Sequence, residues 1–120
     1  MNDSQLIWES YTGKEISIDR LRTPRGTIGN QGATADKVAS ILNHLGLNVK
    51  GIENNMRKLI DSLKGDPSLQ AALRKFTQQN PIKISIMSEP DGSEYIHIED
   101  GHHRAFLLDQ IGDKTVPVSR

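Results

Sequence analysis

The sequence predicts an α+β domain in which a small mixed β-sheet packs with about four helices. Three observations predict it: apolar residues alternate with polar ones near both ends of the chain, they recur at helical spacing through the middle, and glycine or proline marks most changes of period. The chain has 120 residues, the size of one domain spanning 1–120.

The first strand is predicted over Glu15 to Leu21, where Ile16 and Ile18 alternate and Leu21 follows at a turn. Residues 22–34 hold three glycines, a proline and two arginines without any period, which reads as a linker or a binding loop. Thr34 then stands where a helix N-cap is wanted, ahead of Val38, Ile41, Leu42 and Leu45 at helical spacing, with Gly46 as the stop. A second helix is predicted from Ile52 to Leu63, with Met56, Leu59, Ile60 and Leu63 in one stripe and Gly65 as its end. A third has Asp66 as cap, Pro67 at its first position, an inward row of Leu69, Ala72, Leu73 and Phe76, and Asn80-Pro81 as breaker.

After Pro81 the period switches from 3.6 to 2. Ile82, Ile84 and Ile86 alternate with Lys83, Ser85 and Met87, residues 89–93 are turn chemistry, and the alternation resumes at Tyr95 to Ile98, which makes a hairpin. A fourth helix is predicted from His102 to Ile111, carrying the apolar residues Ala105, Phe106, Leu108 and Ile111, and Gly112 breaks it. Residues 115–119 form a last strand whose Pro117 favours an edge. The opening stretch has no period, but Leu6, Ile7, Trp8 and Tyr11 are expected to anchor it over the core.

Composition narrows the function. Hydrophobic residues are 35% and aromatics 4% of the chain, so the core should be small and aliphatic. Fifteen Lys and Arg balance fifteen Asp and Glu, so no global field draws the protein to nucleic acid or an anionic membrane, and any such contact must be local. The absence of cysteine excludes disulfides, thiolate zinc sites and thiol nucleophiles. With no long apolar run and no signal-peptide core, the chain is expected to be soluble and away from the membrane.

The stretch from Glu99 to Arg104 carries the chemistry. Gly101 permits a sharp turn, and the helix that starts after it turns its first amides and the positive end of its dipole toward any docked phosphate. Arg104 in that first turn is poorly placed for the dipole and well placed for such an anion. Asp100 either caps the helix, holds a divalent cation such as Mg²⁺ or activates a nucleophile, and Glu99 could share the last two tasks. His102 and His103 point about 100° apart on a helix, so they are not expected to be equal metal ligands: one can serve while the other packs, and either can act as general base, general acid or donor to a phosphate. His44 and His97 fall in no ligand spacing and are expected to be structural.

At these residues the chain resembles a known superfamily. The segment from Pro81 to Val118 is similar to the fold shared by ParB-like partition proteins, sulfiredoxins and free-serine kinases, in which a hairpin strand leads into Asp-Gly-His-x-Arg or Gly-x-x-Arg, a helix, a glycine and a Val/Ile-Pro-Val strand. Here these are residues 95–104, Gly112 and residues 116–118, within a segment from Pro81 to Val118 that makes up about a third of the chain, while Ile16 to Leu21 looks like the family's opening strand ahead of an arginine-bearing loop, here Arg22 and Arg25. The resemblance implies a phosphate of a nucleotide or nucleic acid held by Gly101, His102, His103 and Arg104, with Arg22 and Arg25 as further phosphate contacts. Sulfiredoxin activity needs a cysteine that is lacking, and CTP-dependent partitioning needs a more basic motif and a following DNA-binding domain. What it implies first is a ParB-like nuclease, similar to toxin modules of bacterial polymorphic secreted proteins, acting in a bacterial cytoplasm and countered by a cognate immunity protein. In it His102 or His103 moves the proton, and Asp100, with or without Glu99, binds Mg²⁺ or orients the histidine. The second implication is a phosphotransferase or nucleotide hydrolase gripping ATP or CTP, as in free-serine kinases; the third is a non-enzymatic regulatory domain that keeps the fold.

Overall fold

Alternating isoleucines and valines set one face of the sheet, and their registers fix its order. The computed structural model describes residues 15–29 and 32–120, so the expectation for Leu6, Ile7, Trp8 and Tyr11 lies outside the described residues. Four strands, β1 (Glu15–Ser17), β2 (Ile82–Ser88), β3 (Glu94–Asp100) and β4 (Thr115–Ser119), form one mixed sheet in the order β1-β4-β2-β3. The β1/β4 and β2/β3 pairs are antiparallel and the central β4/β2 pair is parallel. Ile16 pairs with Val116, Val118 with Ile82, and Ile84 with Ile98, so the apolar side chains line up across all four strands.

Among the described residues four α-helices complete the α+β architecture: α1 (Ala35–His44), α2 (Met56–Lys64), α3 (Pro67–Gln79) and α4 (His102–Gln110). Val38 and Leu42 from α1, Leu59 and Leu63 from α2, Leu73 from α3, and Leu107 and Leu108 from α4 meet the sheet residues in one aliphatic core. The α4 helix touches α1, α2, α3 and β2, so a residue at its start is fixed from several sides. Among the described residues no helix is long and apolar enough to cross a membrane.

Several boundaries differ from the sequence expectation for local reasons. The first strand is only three residues, because Ile18–Leu21 winds into a 3₁₀ turn that buries Ile18 and Leu21 three apart, which a strand could not do on one face. The α2 helix starts at Met56 rather than Ile52, where Asn55 caps it by accepting from the Lys58 backbone N–H at 3.1 Å. Pro117 is not on an edge strand, since β4 lies between β1 and β2; the parallel ladder with β2 begins at Val118, one residue past the missing N–H. On α4 the fully buried apolar residues are Ala105, Leu107 and Leu108, whereas Phe106 and Ile111 are partly exposed. Asp66 does cap α3, accepting from the Leu69 N–H at 3.0 Å. Asp66→Ala should therefore cost about 1 kcal/mol in urea unfolding, with m unchanged.

Candidate phosphate-binding corner

The corner is built where β3 hands the chain to α4. Ile84 faces Ile98 and Lys83 faces Asp100, leaving Glu99 as the extra residue of a β-bulge, a device that re-aims neighbouring side chains. Gly101 follows with φ 99° and ψ 17°, the left-handed conformation that reverses the chain into α4. A Cβ there would sit 2.6 Å from Arg104 Nη2 and 2.8 Å from Ile82 Cδ1, so glycine is needed for space as well as for its backbone angles. Among the described residues no side chain caps α4; Gly101 holds the cap position, and the capping role considered for Asp100 is not taken up.

Arg104 shares a helix face with Leu107 and Leu108, one turn on, and is drawn inward with them until only 8% of it is exposed. Its guanidinium lies 5.5 Å from the Phe76 ring centroid, and its carboxylate partner Asp100 stands 3.8 Å away, beyond hydrogen-bonding reach. Burial pushes the Arg104 pKa down and Asp100 partly restores it, but an arginine stays charged. Among the described residues the guanidinium makes no hydrogen bond, although it lines a hollow of about 350 Å³ with Lys37, Ser40, Ile41, Phe76, Gly101 and His103.

The other candidates part company. Asp100 lies at the rim with 81% of its side chain exposed. His102 packs under the loop, where a Cβ on Gly29 would run into its Nδ1 and Cε1, and its Nε2 is buried. His103 lies edge-on to it at 5.2 Å between ring centroids and accepts a hydrogen bond through Nε2 from the Thr34 N–H at 3.2 Å. Desolvation, then the neighbouring His102 and Lys37, hold the His103 pKa below its ordinary value. Glu99 accepts from the Ser85 hydroxyl at 2.5 Å. It lines a second hollow, of about 330 Å³, that shares Lys37, Asp100, Gly101, His102 and His103 with the first.

The two loop arginines are not brought to the corner. Arg22 forms ion pairs with Asp109 at 2.8 Å and Asp19 at 3.0 Å, and these carboxylates raise its pKa. It thereby fastens the loop to α4 and lines neither hollow. Arg25 is exposed at the turn and lines neither hollow as well. His44 lies tilted against Phe76, with ring centroids 5.4 Å apart, while His97 on β3 borders the second hollow.

Sequence reasoning did not identify Lys37 and Ser40 of α1 or Phe76 of α3 as members of the site. Lys37 and Ser40 share one face of α1, and that exposed cation beside a small hydroxyl is the one signal that could have marked them. Among the described residues no three His, Asp or Glu side chains gather around a point where they could hold a metal ion. Comparison of the chain with protein-family models, curated proteins and solved structures finds no match in any of the three.

Proposed function

We propose that this corner holds a phosphate group and that the protein is a phosphodiester-cleaving nuclease of the ParB-like kind, a bacterial toxin module met by an immunity protein. One observation carries the reading: a buried guanidinium faces a hollow with its compensating carboxylate 3.8 Å off. A buried charge is expensive until it is paired and hydrogen-bonded, and a phosphate supplies both through the planar fork of the arginine. The uncapped start of α4 and Lys37 add positive potential at the same place.

Chemistry follows from what each group can do. With Nε2 accepting from Thr34, neutral His103 carries its proton on Nδ1 and can donate a hydrogen bond from it to the departing ester oxygen, which takes its proton from solvent water. Asp100, an exposed carboxylate at the rim, can take a proton from the attacking water, whose oxygen bonds to phosphorus as the ester bond breaks. Arg104 and Lys37 offset the charge that gathers on the phosphate oxygens. Mg²⁺ fits here only beside a phosphate: Asp100 would provide one ligand, with phosphate oxygens and water the rest, and the ion would supply further charge neutralisation.

Plasmid DNA and total RNA, incubated with the protein in Mg²⁺ or in EDTA, test the reading. Cleavage of one of them is expected, with Asp100→Asn slower by about 10²-fold or more; intact substrates under every condition would sink it. A second reading is favoured by the apolar wall of Ile41 and Phe76 beside Arg104 and by the zero net charge. Those suit a free nucleotide such as ATP or CTP, turned over by phosphotransfer or hydrolysis. Saturable ATP or CTP binding in calorimetry without nucleic-acid cleavage would select it, and neither binding nor turnover would leave a non-enzymatic binding domain.

A further inference from the structure

We propose that His103 is a proton-operated latch: its neutral ring ties the start of α1 to the corner, and protonation lets that helix end go. The tie is the hydrogen bond from the Thr34 N–H to His103 Nε2 at 3.2 Å, which joins residues 69 apart in the chain. Only an unprotonated ring nitrogen can accept such a bond, because the imidazolium has an N–H at both positions. Adding a proton to the ring turns the acceptor into a donor facing another donor. The Thr34 side chain makes no cap hydrogen bond to its own helix, so it does not hold that end in place of the lost tie.

The surroundings decide which form is held. Lys37 from α1 and His102 from α4 disfavour a further positive charge on the ring, and Arg104 of α4 lines the same hollow. Asp36 on α1 opposes them, and β3 presents Asp100 and Glu99, with His97, around the adjoining hollow. The only contribution of α3 to that wall is the uncharged Phe76. The balance, with partial burial, keeps the ring below its ordinary value of 6.5, so the latch is closed at neutral pH. For a base whose folded pKa is depressed, the stabilisation is complete above 6.5 and is lost as pH falls through 6.5 toward the folded value. The inference does not depend on phosphate binding, although an anion in the hollow would favour the imidazolium and couple the two events.

The test is a ¹⁵N NMR titration of the full chain from about pH 8 to about pH 5, the range in which imidazole titrates. At the alkaline end His103 should show a proton-free Nε2 and a protonated Nδ1. The Thr34 amide resonance should then move with the same midpoint as the His103 ring, below 6.5. In His103→Gln, whose side-chain oxygen can still accept from Thr34 but does not titrate, that movement should vanish. A proton on Nε2 at neutral pH, or a Thr34 amide that stays still while the ring titrates, overturns the proposal; both are read on the wild-type chain, so the outcome does not hang on the variant folding.

Discussion

Gly101→Ala is expected to destabilise the protein by about 2–3 kcal/mol and to abolish phosphate binding at the corner. Two costs combine. A side chain at φ 99° pays about 1–2 kcal/mol for the left-handed backbone. The new methyl would then meet Arg104 Nη2 at 2.6 Å and Ile82 Cδ1 at 2.8 Å. Ile82 is fully buried in β2 and cannot retreat without opening the core, so the guanidinium must give way, and with it the group that makes the hollow attractive to an anion. Urea unfolding reads the stability and calorimetry with inorganic phosphate reads the binding. A variant as stable as the wild type, with undiminished phosphate binding, would show that the turn does not set the position of Arg104.

How much of this corner can be read in the sequence depends on how local its causes are. The switch from period 2 to period 3.6 across Asp100-Gly101-His102 places the turn, since β3 ends at Asp100 and α4 begins at His102. The rest is set by contacts remote in sequence. Arg22 looks like a phosphate ligand in an arginine-bearing loop, yet its partner Asp109 lies 87 residues on, and nothing local reveals that the pair will form. Lys37 and Phe76 reach the hollow only because α1 and α3 pack beside α4. The two histidines have equal chances as residues, and it is the close approach of Gly29 that packs one away while Thr34 engages the other. The 3₁₀ turn was legible in part: Ile18 and Leu21, three apart and both buried, fit that turn better than the strand their alternation with Ile16 suggests.

Arg104 separates a structural from a functional role, because the two predict opposite effects of removing its charge. An arginine kept for stability would leave a weaker fold behind when replaced. One kept for a ligand is a standing cost: its charge is desolvated, its carboxylate partner is 3.8 Å away and 81% exposed, and among the described residues only the Phe76 face offers further compensation. Arg104→Met preserves length and apolar contact with Leu107 and Leu108 while deleting that charge. It should be as stable as the wild type or more so, by up to about 1–4 kcal/mol as seen where buried ionic groups give way to well-packed apolar ones. Activity on whichever phosphate substrate is turned over should meanwhile fall by about 10²–10³, the usual loss when one preorganised donor to a developing oxyanion is removed. Arg104→Lys should recover little of it, because a point charge lacks the planar fork and a flexible ammonium is more costly to desolvate. Thermal melts and turnover on the same samples decide the matter: a less stable Met variant with intact turnover would make Arg104 part of the scaffold and leave the hollow without its ligand.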